Sequence, residues 1–259
     1  MSNRAVQNFE LQATHPRVRH GLQSPEAFTL MLVHRKAYEE AAAMVHAACV
    51  LDWGCNDGYG LEILRSAGHS VTGVDVAPDA LAAANERFGG QVRLALLDRG
   101  GAPFPDASFD LVTSFQCIEH VVDYAGYCGE IRRLLKPGGR ALFTTPNADI
   151  RLDPGAKPWS RFHIHEFSGA ELAHLLRQHF ASVEVQGLFA CPELTSIELR
   201  RCGRARFQSR SPIHNFLGNT VWAKDRIVRR RLPDCTTAHL HYATSRIDAA
   251  LDLMALCRA

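Results

Sequence analysis

The chain has 259 residues, of which 46% are hydrophobic and 22% are charged, as is usual for a globular protein. Its formal net charge is only +2, so overall charge alone does not indicate nucleic-acid binding. The first residues lack the apolar core of a secretory signal, and no apolar run is long enough for a membrane span. We therefore expect a cytoplasmic protein with one large α/β domain, alone or with an appendage.

Strands and helices are predicted to alternate along the chain. After a polar N-terminal stretch, the composition of residues 25–48 predicts one or two helices. Short apolar runs predict six strands: CVLDWG, HSVTGVDVA, QVRLALLD, FDLVTSFQ, RALFTTP and SVEVQGL. The intervening segments predict helices: YGLEILRSAG, DALAAANERF after Pro78, DYAGYCGEIRRLL before the turn at Lys136–Gly139, and ELAHLLRQHF behind a capping box at Ser168 and Glu171.

This alternation predicts an α/β fold with a mostly parallel sheet and helices on both faces. Ligands of such sheets bind beyond the carboxyl ends of the strands, where the winding direction reverses. We divide the chain into an N-terminal helical extension (1–48), a core (49–189), a basic insertion or cap (190–240) and a final core element (241–259). The closing ALDLMALCRA is either a last, antiparallel strand or a terminal helix, since both patterns fit.

Eight cysteines are scattered along the chain, and none forms a C-x-x-C pair. Several lie inside apolar runs. This distribution predicts reduced core cysteines rather than disulfides or a zinc site.

The stretch VLDWGCNDGYG, Val50 to Gly60, places a glycine-rich turn behind a strand that ends near Asp52. A dinucleotide fingerprint needs glycines at relative positions one, three and six, and neither Gly54 nor Gly58 begins such a series. The pattern D-x-G-x-N-x-G-x-G resembles the first motif of the class I S-adenosylmethionine-dependent methyltransferases. The segments APFPDASFDLVTSFQCIEHV and LKPGGRALFTTPN resemble their later motifs. The resemblance covers residues 34–188 and implies a Rossmann-like, seven-stranded sheet and S-adenosyl-L-methionine as the cofactor.

The same resemblance implies a set of cofactor-binding residues. Asp75, at the end of the second strand, is expected to accept hydrogen bonds from the ribose hydroxyls. Asp98, at the end of the third strand, is expected to accept one from the adenine amino group. The glycine turn and the backbone near Phe115 are expected to meet the methionine part. The full expected set is Asp52, Gly54, Asn56, Gly58, Asp75, Val76, Asp98, Arg99 and Phe115.

Asn56 departs from the family pattern, which usually has glycine at this position. Because asparagine is the non-glycine residue that best tolerates a positive φ, the turn can be retained. The alternative is a decayed cofactor site in a protein that is not an enzyme. The neighbouring Asp57 can face either the cofactor's amino group or solvent.

The candidate catalytic residues are His120, after the fourth strand, and His163, in the segment RFHIHEF. Histidine titrates near neutral pH, so either can act as a general base. The elements TPN, FHIHEF and HRKAY resemble those of bacterial surface-glycan methyltransferases, which implies a sugar or glycolipid hydroxyl as the acceptor. A purely structural role in fixing loops is the alternative for both histidines.

A metal site is a further alternative. Gln116, Glu119, His120 and His163 resemble the E-x-x-E-H plus distant His of ubiquinone-pathway and small-RNA terminal methyltransferases, which hold a divalent metal. Here the first acid is replaced by the neutral amide of Gln116, which weakens a site for a hard cation. We therefore expect no metal.

The segment from Arg200 to Arg231 contains ten Lys or Arg residues and one acid, Asp225. Three aromatic residues are interspersed: Phe207, Phe216 and Trp222. This composition fits RNA binding, an anionic acceptor such as a nucleotide-linked sugar, or a solvated cap over the acceptor pocket, which we favour. The sequence thus predicts O-methylation of a sugar or other small hydroxylated acceptor. RNA modification and non-catalytic cofactor binding are the rival hypotheses.

Overall fold

The computed structural model describes residues 24–98, 101–153, 155–158, 160–201 and 232–259. The predicted cofactor residue Arg99 and most of the basic segment, including its three aromatic residues, lie outside the described residues.

The described ranges contain seven α-helices and eight β-strands. The helices are α1 Pro25–Met44, α2 Tyr59–Ser66, α3 Pro78–Phe88, α4 Tyr124–Leu134, α5 Ala148–Arg151, α6 Gly169–Leu176 and α7 Pro192–Arg201. The strands are β1 Cys49–Trp53, β2 Ser70–Asp75, β3 Arg93–Leu96, β4 Phe109–Phe115, β5 Leu135–Pro146, β6 Ser182–Ala190, β7 Leu240–Ala243 and β8 Asp252–Arg258.

The strands form one sheet in the order β3-β2-β1-β4-β5-β8-β6-β7. The neighbours among β1 to β5 pair in parallel, and β8 is antiparallel to both β5 and β6. The closing segment is therefore a strand and not a terminal helix. The winding direction reverses between β1 and β4, so a ligand crevice is expected beyond their carboxyl ends.

The sheet exceeds the seven strands expected from the sequence by one. The additional strand, β7, pairs antiparallel with β6 at the sheet edge. Its four residues carry no strong periodic pattern, and its hydrogen bonds depend on the edge that β6 offers. A strand of this kind is decided by tertiary pairing and not by local sequence.

Successive residues of the central strands alternate between the two faces of the sheet. One face carries Leu51, Val112 and Phe143, which pack against α4 and α6. The opposite face carries Val50, Leu111 and Leu142, which pack against α1, α2 and α3. Helices cover both faces, as predicted.

Helix α1 begins at Pro25, and the side chain of Ser24 accepts a hydrogen bond from Ala27 N at 3.1 Å. It continues as a single helix to Met44, packing on α2 and, through Phe28 and Leu32, on the cluster that includes α7. The Ser168–Glu171 capping box is also present as predicted. Within the described ranges no helix combines the length and the apolar character needed to cross a membrane.

The seven cysteines in the described part of the chain are not joined in disulfides. Cys191 Sγ and Cys235 Sγ lie 3.9 Å apart.

Candidate active site

The glycine-rich turn begins where β1 ends. The φ angles of Gly54, Asn56 and Gly58 are 82°, 50° and 81°, all in the left-handed region. This confirms that Asn56 keeps the turn conformation in place of glycine. The carbonyl O of Val74 on β2 accepts hydrogen bonds from the N–H groups of Gly54, at 2.8 Å, and Cys55, at 3.0 Å, which fixes the turn beside the end of β2.

Packing as well as conformation requires glycine in this turn. A Cβ on Gly54 would lie 2.5 Å from Cys117 Sγ, and one on Gly58 would lie 2.6 Å from a ring carbon of Phe88. A Cβ on Gly60 would lie 2.0 Å from the ring of Tyr38. The glycines therefore let the turn lie close to the protein's own side chains.

Asp52 lies beneath the turn and is fully buried. Tyr38 Oη donates to its carboxyl at 3.0 Å, and Thr113 Oγ1 donates at 2.8 Å. Burial raises the pKa of Asp52 to about 7, although the hydrogen bonds from Thr113 and Tyr38 act in the opposite direction. Through these two hydrogen bonds Asp52 links β1 to β4 and to α1 under the turn.

Asp75 is half-buried at the end of β2. Its Oδ2 accepts from Asn56 N at 2.9 Å, and its Oδ1 accepts from Ala77 N at 2.9 Å. Each carboxylate oxygen has two lone pairs, so it can accept more than one hydrogen bond. The buried Asn56 Oδ1 has no hydrogen-bond partner among the described residues. An orphaned acceptor beside this acid fits a ligand with polar hydrogens, as a nucleoside cofactor has.

The other predicted cofactor residues line the same edge of the sheet. Asp98 follows β3, is exposed, and forms an isolated bridge with Gly101. Val76 is half-buried against the core, and Phe115 ends β4 with its ring 4.8 Å from that of Tyr38. The sheet thus brings the ends of β1, β2, β3 and β4 to one crevice.

Asp57, whose orientation the sequence left open, contacts helix α3. Its Oδ2 forms an ion pair with Arg87 Nη2 at 3.0 Å, which joins the turn to α3.

His120 and His163 are neighbours although 42 residues separate them in the chain. Their ring centroids are 5.0 Å apart, and the rings are nearly perpendicular, at 82°. The carbonyl O of Glu119 accepts from Ile164 N at 2.8 Å, which joins the turn after β4 to the RFHIHEF segment. This backbone contact brings the two predicted catalytic residues together.

Each of the two rings is oriented through its Nδ1 atom. His120 Nδ1 donates to the carbonyl O of Phe162 at 2.7 Å, and His163 Nδ1 donates to Glu166 Oε1 at 2.6 Å. In a neutral ring this arrangement puts the lone pair on Nε2, the atom that a general base or a metal ligand uses.

Glu166 is held by a buried arginine. Arg151 donates through Nε to Glu166 Oε2 at 2.9 Å and through Nη1 to Glu198 Oε1 at 3.4 Å. Burial raises the pKa of Glu166, but hydrogen bonds from His163 and Arg151, and then the Arg151 charge, outweigh it and leave the pKa below its usual value. Glu166 is therefore an anion at neutral pH and accepts the hydrogen bond from His163.

Glu119, His120 and His163 form what we call the acid–histidine cluster. One ligand-type atom from each lies within 4.8 Å of the others, a spacing that a metal ion could bridge. Gln116, the first member of the sequence pattern, donates through Nε2 to Asp252 Oδ2 at 3.0 Å. The structure thus brings together the acid and both histidines of the pattern.

Sequence reasoning missed four residues of this region: Tyr38, Arg151, Glu198 and Asp252. Tyr38 belongs to the noted HRKAY element, but nothing local linked it to Asp52. The other three lie on separate elements and meet only in the folded chain, so no spacing in the sequence indicated them.

Residues 28–179 match the family model described as a methyltransferase domain. The chain belongs to the class I S-adenosylmethionine-dependent methyltransferases. It is 34% identical over 172 residues to a probable S-adenosylmethionine-dependent methyltransferase of Mycobacterium tuberculosis, a match covering 66% of this chain and 62% of that relative. It is 31% identical over 230 residues to one of Mycolicibacterium smegmatis, covering 86% of each chain.

The fold is also that of solved methyltransferase structures. A possible histamine N-methyltransferase from Thermotoga maritima matches with a TM-score of 0.55 and 16% identity, covering 88% of this chain and 91% of that one. This likeness shows the fold alone. S-adenosyl-L-methionine is the cofactor of the family, and the free Asn56 acceptor beside Asp75 fits its polar nucleoside part.

Proposed function

We propose that the protein transfers a methyl group from S-adenosyl-L-methionine to a hydroxyl of a sugar or another small hydroxylated acceptor. The observation that carries this proposal is the His163–Glu166 pair at 2.6 Å, beside the crevice at the carboxyl ends of β1 and β4. A hydroxyl must lose a proton during methyl transfer, and a histidine oriented by a carboxylate can accept it.

The cofactor supplies an activated methyl on a sulfonium, and the chain must hold and orient it. In this proposal Asp75 binds the ribose and Asp98 the adenine, while Gly54, Asn56 and Gly58 form the turn that approaches the methionine end. Val76 and Phe115 contribute apolar contact, and Asp52 supports the turn from below through Tyr38 and Thr113. Arg99 belongs to the same proposed set.

His163 acts as the proton acceptor in this proposal. Its Nδ1 is committed to Glu166, and Arg151 fixes that carboxylate, so the Nε2 lone pair has one defined direction. His120 packs against the His163 ring and is fixed by Phe162 O, which makes it a positioning partner or a second base.

Calorimetry with S-adenosylhomocysteine tests the cofactor half of the proposal. Asp75→Ala should abolish binding, because both ribose hydrogen bonds are lost; unchanged affinity would refute the ribose role. An S-adenosylhomocysteine release assay on a panel of sugars and nucleotide sugars tests the acceptor half.

The base is tested with His163→Ala and with His174→Ala, a control at an exposed position of α6. Loss of a general base lowers kcat by about 10²–10⁴-fold, with cofactor binding retained. A His163 variant with the kcat of the His174 control would exclude this role.

RNA modification remains the rival proposal, supported by the basic and aromatic composition of residues 200–231. It requires RNA binding that weakens steeply with salt. Flat salt dependence would exclude it. Methyl transfer to any acceptor would exclude a non-catalytic role.

A further inference from the structure

Two cysteines meet at the edge of the sheet, where β6 ends beside the start of β7. Cys191 lies between β6 and α7, and Cys235 follows the short 3₁₀ helix Leu232–Asp234. Their Sγ atoms lie 3.9 Å apart, although 44 residues separate them in the chain. A disulfide needs a distance of about 2.05 Å. Because a change of side-chain rotamer moves a sulfur by this much, the pair is within reach of a covalent bond.

Hydrogen bonds hold the backbone at both positions. Cys191 N donates to the carbonyl O of His239 at 3.0 Å, and the carbonyl O of Cys191 accepts from Thr195 N at 3.0 Å in the first turn of α7. Cys235 N donates to the carbonyl O of Leu232 at 3.0 Å. The approach of the two sulfurs is therefore imposed by the fold.

The two thiols differ in their exposure. Cys235 is 7% exposed and lies in an apolar cluster with Leu194 and Ile197 of α7, whereas Cys191 is half-buried. Burial, and then the neighbouring Cys191, raise the pKa of Cys235 to about 12. Because the thiolate is the reactive form and must meet the oxidant, Cys191 is the thiol that reacts first.

A bond between these cysteines would close a ring of residues 191–235, which includes α7. Glu198 of this helix accepts a hydrogen bond from Arg151 Nη1 at 3.4 Å, and Arg151 also binds Glu166 beside the proposed base. The bond would attach the start of α7 to the segment that precedes β7. It would therefore restrict the motion of the helix that supplies Glu198.

We propose that Cys191 and Cys235 are a modification site, a pair that forms a reversible disulfide and so clamps α7 to the sheet edge. The oxidant is a low-molecular-weight disulfide such as oxidised glutathione. The Cys191 thiolate attacks one of its sulfurs, and the first glutathione thiolate leaves. The Cys235 thiolate then attacks the Cys191 sulfur and releases the second. Two protein thiols thus lose two electrons, and the two departing thiolates take up their two protons.

Peptide mapping of the full chain tests the pairing. The protein is equilibrated in mixtures of reduced and oxidised glutathione, alkylated, and digested with trypsin without reduction. The tryptic peptides 178–200 and 232–246 carry Cys191 and Cys235, each as its single cysteine. We expect these two peptides to be joined in the oxidised protein and separated by dithiothreitol. A main link to any other cysteine, such as Cys202, overturns the proposal.

The same equilibration in concentrated urea tests whether the fold brings the thiols together. Proximity raises the effective concentration of one thiol at the other. We expect the native pair to be half oxidised in a glutathione mixture at least about tenfold more reducing than the unfolded pair requires. Equal requirements in the native and unfolded chains would overturn the proposal.

Amide hydrogen exchange tests the clamp itself. Oxidation should slow exchange in α7 at least about threefold, because the bond restricts opening of this helix. Exchange in α3, at the opposite end of the sheet, should not change. Unchanged exchange in α7 of the fully cross-linked protein would refute the clamp.

Serine variants assign the order of the two steps. Cys235→Ser should stop at a mixed disulfide between Cys191 and glutathione, and Cys191→Ser should leave Cys235 largely unmodified. Cys202→Ser, outside the described residues, is the control and should form the wild-type link. Preferential modification of Cys235 would contradict the proposed order.

If circular dichroism shows that a serine variant does not fold, the comparison of native and unfolded wild type decides alone. These measurements need no methyl acceptor, so their outcome is independent of the proposed function.

Discussion

Replacing Asp52 with Asn should change how the stability of the protein depends on pH. The buried carboxyl has its pKa raised by burial from 3.8 to about 7, and hydrogen bonds from Thr113 and Tyr38 do not reverse this. In the unfolded chain the same carboxyl titrates near 3.8. At a pH between these two pKa values, the Asp52 carboxyl is protonated in the native state and ionised in the unfolded state.

The sign of the effect follows from this difference. Proton uptake by the native state stabilises the fold fully below about pH 4, and the contribution is lost as the pH rises toward about 7. At about 1.4 kcal/mol per pKa unit, the shift corresponds to about 4 kcal/mol. Of this, about 2 kcal/mol is lost between about pH 5 and about pH 7.

Urea unfolding of the wild type and Asp52→Asn, measured across this pH range, tests the reasoning. The amide does not titrate, so the free energy of unfolding of the wild type minus that of the variant should fall by about 2 kcal/mol from about pH 5 to about pH 7. Glu184→Gln controls for removal of a carboxylate at the surface. A constant difference between the Asp52 pair would show that the carboxyl titrates normally in the fold and would refute its burial-driven shift.

Three further predictions concern the turn and the neighbouring cluster. Gly60→Ala should lower the free energy of unfolding by about 1–3 kcal/mol, because its Cβ would lie 2.0 Å from the Tyr38 ring. The control is Gly129→Ala on α4, where a Cβ meets nothing within 4 Å and should not destabilise the protein. Equal free energies of unfolding for the two variants would contradict the close packing of Gly60 on Tyr38. Asn56→Gly should fold normally, because glycine accepts its φ of 50°, but should bind S-adenosylhomocysteine more weakly in calorimetry; unchanged affinity would remove the side-chain oxygen from the cofactor site. Methyl transfer should survive an excess of chelator, and its loss with recovery on adding Mn²⁺ or Zn²⁺ would assign a metal to the acid–histidine cluster.

The sequence by itself predicted the alternating strands and helices, the glycine-rich turn with Asn56 in a left-handed conformation, and the capping box before α6. These features depend on local properties: apolar periodicity, the residues that tolerate a positive φ, and caps formed within one turn of helix. They were enough to indicate the family, because its motifs lie in such local segments.

The tertiary structure decided what the local pattern left open. It made the closing segment a strand, because β8 could insert between β5 and β6, and it added β7 at the edge. It joined Tyr38 to Asp52 and oriented His163 through Glu166 and Arg151. It also placed Asp252 beside Gln116, 136 residues away in the chain.

These contacts join residues that are far apart in the chain, and their geometry depends on strand register and on which helix covers which face. A single amino-acid sequence carries no periodic or propensity signal for such pairs. The sequence therefore determined the class of protein, whereas only the assembled sheet determined which distant residues meet at the candidate site.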